Sequence, residues 1–138
     1  MGPRPTPRPT STLFEIVTTD LAKALAFYRA LGLDVPDGAE DQPHVDLPLP
    51  GGNRLALDTE ATIASFTPDF APPTGEGRLA LAFGYDTPAD VDAAHAALTS
   101  AGAPSEREPF DAFWGQRYAT VRDPDGNHVD LFAALPQT

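Results

Sequence analysis

Two stretches of this 138-residue chain run through the same signals in the same order, so the fold must accommodate two like halves. Residues 13–18 alternate like a strand and lead into Asp20, an N-cap type. Leu21, Leu25, Tyr28 and Leu31 then recur at helical spacing, and Gly32 follows as a left-handed stop. The second stretch repeats this. Residues 79–85 read as an apolar strand, Thr87-Pro-Ala-Asp90 is a capping box with Pro at the first helical position, and the helix runs toward Gly102. Each half closes on a turn, Pro50-Gly-Gly-Asn53 and Pro124-Asp-Gly-Asn127, whose third residue is a glycine able to take positive φ. Strands at residues 44–49 and 55–58 flank the first turn; strands at 117–122 and 129–132 flank the second.

The expected architecture is therefore α+β: two tandem βαβββ modules that form a curved-sheet cleft. The boundaries read as a disordered Pro-rich tail over residues 1–11, a first module over 12–60, a connector over 61–77 and a second module over 78–135. Residues 58–77 break any periodicity with Pro68, Pro72, Pro73, Gly75 and Gly77. The opening ten residues lack an apolar core and read as neither a signal peptide nor an anchor, and no stretch is apolar enough to span a bilayer. With no cysteine, neither a disulfide framework nor thiolate chemistry is available, which fits a cytoplasmic location. The formal charge of −11, from 20 acids and 9 bases, speaks against a nucleic-acid partner. That acidity reads either as attraction for a cationic ligand or as a solubility surface.

Alternation assigns the strand faces. Phe14 and Ile16 suit the helix-packed side of the first strand, which turns Leu13, Glu15 and Val17 to the cleft. Val45 and Leu47 pack, so His44 and Asp46 face the cleft; Val129 and Leu131 pack, so His128, Asp130 and Phe132 face it. A neutral imidazole at His44 or His128 near a carboxylate has the chemistry of a general base, whereas His95 on the second helix reads as solvent-facing. Asp58 and Glu60 read as solvated rim residues.

Trp114, the single tryptophan, stands with Phe110, Phe113 and Tyr118 just before a strand. Such rings either stack on a planar ligand or seal the contact between modules. Gln116 and Arg117 follow, and read either as orienting partners for the indole and a ligand carbonyl or as a surface pair.

The strand-Asp20-Leu21 entry, Ala26-Phe27-Tyr28, Leu31-Gly32 and the closing Asp123-Pro-Asp-Gly-Asn127 together resemble the glyoxalase, bleomycin-resistance and dioxygenase (vicinal oxygen chelate) superfamily over residues 12–135. Asp111-Ala-Phe-Trp-Gly-Gln-Arg-Tyr-Ala119, Asp123 to Phe132 and Ala71-Pro-Pro-Thr-Gly75 are similar to its mitomycin-binding resistance members. The resemblance implies a homodimer whose modules complete shared clefts. Enzymes of the superfamily hold a metal on the concave face. The matching positions here are Leu13, Ala56, Ala80 and Asp130, of which only Asp130 is a ligand type, so neither metal nor other cofactor is expected. An improvised set would have to come from Glu15, His44, Asp46 and Asp130. The resemblance further implies that Trp114 stacks on a planar drug. Glu15 stands where those members have a small apolar residue, and Leu57 stands where they carry a ring, leaving that pocket wall more open. The expected function is metal-independent binding and sequestration of a planar antibiotic or natural product. The alternative is a lyase, isomerase or dioxygenase-like enzyme of the same superfamily. The expected ligand-binding residues are Trp114, Phe113, Tyr118, Glu15, His44, Asp46, Asp130, Gln116, Arg117 and Leu57, with no catalytic residue assigned.

Overall fold

A computed structural model describes residues 8–72 and 79–137. Residues 1–7 of the expected tail and 73–77 of the expected connector, with part of the Ala71–Gly75 motif, lie outside the described residues. The first half contributes β1 (Leu13–Thr18), α1 (Leu21–Leu31), β2 (His44–Pro48), β3 (Arg54–Thr59) and a short α2 (Glu60–Ala64). The second contributes β4 (Ala80–Gly84), α3 (Pro88–Ser100), β5 (Ser105–Ala112), β6 (Gln116–Arg122) and β7 (His128–Ala134). A three-stranded sheet has the order β1-β3-β2 and a four-stranded sheet the order β4-β7-β6-β5. In each, the first strand pairs in parallel with the last, and the remaining pairs are antiparallel.

The duplicated plan is present, with one inequality. Between α1 and β2, where the second half has β5, the first half has a 3-10 turn, Ala39–Asp41. Pro36, Gly38 and Pro43 crowd that stretch, and proline cannot donate to a ladder. Helices α1 and α3 begin and end where the sequence indicates, whereas α2 runs into what the sequence presents as a connector without periodicity, started by Thr59 as its N-cap. Asp20 accepts from the Lys23 amide at 3.1 Å and Thr87 from the Asp90 amide at 3.2 Å, while Gly32 takes φ 114° at the end of α1.

One core serves both halves. Leu25, Tyr28 and Leu31 of α1, Leu47 and Leu55 of the first sheet, Val91 and Leu98 of α3, and Val121, Val129 and Leu131 of the second sheet form a single buried cluster. Fully burying side chains of this size stabilises by ~1.5–3 kcal/mol each. The β6–β7 turn joins the halves through polar contacts. Asp123 Oδ1 accepts from the amides of Asp125 (3.0 Å) and Asn127 (2.8 Å), and its Oδ2 accepts from the Asn127 side chain and from the Tyr28 hydroxyl of α1, both at 2.8 Å. Burial, then the adjacent Asp123 carboxylate, pushes the Tyr28 pKa up. Asp125 in turn accepts from Thr18 Oγ1 (2.5 Å), the Thr19 amide (2.9 Å) and Thr19 Oγ1 (3.0 Å) at the end of β1. From the other side, the Tyr85 hydroxyl donates to the Leu31 carbonyl at 3.0 Å, capping the last turn of α1. No helix among the described residues is long and apolar enough to cross a membrane.

Candidate functional site

The faces away from the helices carry the polar and aromatic side chains in two groups, one on each sheet. On the first sheet the register sets His44 opposite Asp58, and Asp46 and Glu15 each opposite Ala56. His44 Nδ1 lies 2.5 Å from Asp58 Oδ1 and its Nε2 lies 2.6 Å from Asp46 Oδ1; Arg54 donates to the other Asp46 oxygen at 2.7 Å. A neutral imidazole has one N–H, so two carboxylates, one on each nitrogen, favour the imidazolium. The hydrogen bond to Asp58 raises the His44 pKa, with the Asp46 contact adding to it against partial burial. Partial burial and then neighbouring Asp58 raise the pKa of Glu15.

On the second sheet both oxygens of Asp130 are occupied. Tyr118 donates to one at 2.7 Å and Thr120 to the other at 2.8 Å. Burial, and then this bond to Asp130, push the Tyr118 pKa up to about 12. Beyond Tyr118, the β5–β6 turn carries the aromatic group. Trp114 meets Phe113, Tyr118 and Phe110 edge to face, with ring centroids 5.0, 5.3 and 6.2 Å away. Trp114 Nε1 donates to Gln116 Oε1 at 2.8 Å, which fixes the ring plane while 47% of the residue stays exposed. Phe113 is almost wholly exposed.

Two expected ligand-binding residues are elsewhere. Leu57 is fully buried in the core with Leu55, because its register partner Val45 and its parity both place it on the helix-packed face; it forms no cleft wall. Arg117 shares the parity of Ala119 and Val121 and so points to the helix side, where it pairs with Asp92 of α3 at 2.9 Å and Asp111 at 3.0 Å. These two carboxylates raise its pKa, Asp92 foremost. His95, expected in solvent, is buried, with Nε2 2.7 Å from Ser105 Oγ. Asp58, expected at the rim, is buried against His44. Glu15, His44 and Asp46 are brought together on one sheet, and Trp114, Phe113, Gln116, Tyr118 and Asp130 on the other.

A cavity of about 620 Å³ separates the two groups, between β1 and β4, the edge strands that face each other across the sheets. Leu13 to Val17 wall it on one side and Leu79 to Leu81 on the other, with Phe70, Asp125, Asn127 and His128. Of the expected site residues only Glu15 reaches it. His128 was legible as cleft-facing; Phe14 was not, because its parity with Ile16 pointed to the helix, whereas at the start of an edge strand it stays 45% exposed.

The superfamily's metal does not fit these residues. Among the described residues no group of three or more His, Cys, Asp or Glu could hold a metal ion. Asp130 stands on a different sheet from Glu15, His44 and Asp46, and both its oxygens accept hydroxyl protons.

The family model for the Glyoxalase/Bleomycin resistance protein/Dioxygenase superfamily matches residues 11–131. A comparison with curated proteins gave no match. Among solved structures, a hypothetical protein from S. aureus is 23% identical, with TM-score 0.77, covering 93% of this chain and 96% of its own. A glyoxalase/bleomycin resistance protein/dioxygenase from Nocardioides is 27% identical, with TM-score 0.70 and coverages of 97% and 89%. A glyoxalase/bleomycin resistance protein/dioxygenase family enzyme from Burkholderia phytofirmans is 22% identical, with TM-score 0.75 and coverages of 90% and 98%. By sequence over most of its length and by fold over nearly all of it, the chain belongs to the glyoxalase/bleomycin resistance protein/dioxygenase superfamily.

Proposed function

We propose that the protein binds and sequesters a planar aromatic small molecule, of the antibiotic or natural-product kind, in the cytoplasm and without a divalent metal. The observation that carries this reading is Trp114. Its indole is half exposed, braced edge to face by three rings and fixed by Gln116, so a flat ligand meets a stacking surface whose orientation is already set. Pre-ordering of this kind lowers the entropic cost of binding. Drugs such as mitomycin and bleomycin are the natural first ligands to test, and a homodimer whose second chain covers the open sheet faces completes the proposal.

The test is a calorimetric titration of EDTA-treated protein with mitomycin C, bleomycin and a panel of planar natural products, with Trp114 fluorescence followed in parallel. Saturable binding is expected, weakened in Trp114→Ala by ~1 kcal/mol or more, roughly fivefold. Binding that appears only when a divalent metal is restored would overturn this reading.

A second reading, a lyase, isomerase or dioxygenase-like enzyme, draws its support from His44. An imidazolium held between Asp46 and Asp58, with Glu15 beside Asp58, is equipped to move a proton. Turnover of a bound ligand that is lost in His44→Asn would favour it.

A further inference from the structure

The cavity between β1 and β4 is separate from the stacking surface, and its wall has its own chemistry. Leu13, Phe14, Ile16, Phe70 and Leu81 make it mainly apolar. Two of its polar residues are already engaged: Asp125 accepts from Thr18 and Thr19, and His128 Nδ1 lies 2.6 Å from Glu106 Oε2. Glu15 differs, because its hydrogen-bond partner is another carboxylate, Asp58, which it can meet only through a proton. The connected group of Glu15, Asp46 and Asp58 holds three carboxylates against the imidazolium of His44 and the guanidinium of Arg54. With all three ionised that group is one positive charge short, a charge that a proton or a bound cation supplies, and Glu15 is its member on the cavity wall.

We infer that this cavity takes the amine-bearing part of the ligand, with an apolar body lying between the edges of β1 and β4 and a protonated nitrogen on the Glu15 carboxylate. The inference deepens the binding reading above and rests on it, because it gives the planar ligand a charge. An ammonium or protonated heterocycle at Glu15 also relieves the repulsion from Asp58, whose proximity, after partial burial, raises the Glu15 pKa. An anion would add to that repulsion. A neutral ring keeps the apolar contact alone.

The experiment compares two probes with the same ring system on the full chain near neutral pH: proflavine, which is cationic there, and acridine, which is neutral. Proflavine is expected to bind about tenfold tighter, the scale of a hydrogen bond to a charged group. Glu15→Gln, an isosteric change on an exposed strand position, is expected to bring the two probes to within about twofold of each other. Leu13→Lys sets a competing cation on the same strand face at the lip of the cavity and is expected to remove the preference as well. Raising the salt concentration should weaken proflavine and leave acridine unchanged. Equal affinities for the wild type, a preference that survives Glu15→Gln, or no binding of either probe would each overturn the inference. The stacking reading is scored separately: Trp114→Ala weakens both probes alike if stacking holds and moves neither if it fails, whereas the ratio between probes reports on Glu15.

Discussion

His44 has a carboxylate on each ring nitrogen, and this sets a measurable titration. Its pKa lies above the ordinary 6.5, chiefly through Asp58, so the folded protein holds this proton to a higher pH than the unfolded chain does. The stability it contributes is fully present below the unfolded value and is lost as pH rises through the raised folded value. A proton-detected titration of the three histidines should give His44 a midpoint above 6.5, and His44→Asn should flatten the fall in melting temperature over that window. A midpoint below 6.5 would contradict the bridged geometry. The polar residues of this face were legible because strand alternation is strict: once Val45 and Leu47 are assigned inward, His44 and Asp46 have one place to go. Leu57 was equally legible by that rule, since it shares parity with Leu55. The resemblance to ring-bearing relatives drew it to the cleft against its own periodicity. His95 also carried its signal, four residues after Val91 and three before Leu98 on one helix stripe. Histidine's polarity obscured it, although the Ser105 hydroxyl satisfies the ring.

Among the elements, the β6–β7 turn does more than reverse the chain. A common five-residue turn, Asp123 to Asn127, is also where α1 and the end of β1 attach to the other half, and the sequence showed the turn without its long-range partners. Removing the Asp123 carboxylate leaves the Tyr28 hydroxyl, two amides and the Asn127 side chain without their acceptor. Asp123→Ala should therefore destabilise by ~3 kcal/mol and Tyr28→Phe by ~1 kcal/mol, read by urea unfolding. A change in Asp123→Ala no larger than that of a surface substitution would mean the turn is held by its backbone alone. Two elements were hidden in the sequence, the short α2 and β5. Ser105 to Ala112 contains Pro109 and four charged residues, and its pairing with β6 slips register at two places. An edge strand tolerates both features, since one side of its ladder is free. Of the rings grouped around Trp114, Phe110 lies on this strand.

The whole molecule has one core and two open sheet faces. β1 and β4 are unpaired along one edge, and Leu13, Phe14 and Leu79 are exposed at or beside those edges. Exposed apolar side chains at the mouth of a cleft invite cover by another chain, which closes the cleft without pairing with its strands. Sedimentation equilibrium should give twice the chain mass, and Phe14→Lys with Leu79→Lys should shift it toward the single-chain value. A wild-type chain that sediments as a monomer would count against shared clefts. The duplication told how many faces to expect and what lines them; it did not tell that they would diverge. One sheet has three strands and sets His44 between carboxylates, and the other has four and carries the rings beside ion pairs of its own. A molecule lying across the two has a head and a tail, and turning it end for end would set a ring against Glu15 and an amine against Phe113. The frame keeps the imprint of a twofold axis, while the surface it offers has a polarity, and only a guest with matching polarity can use its whole length.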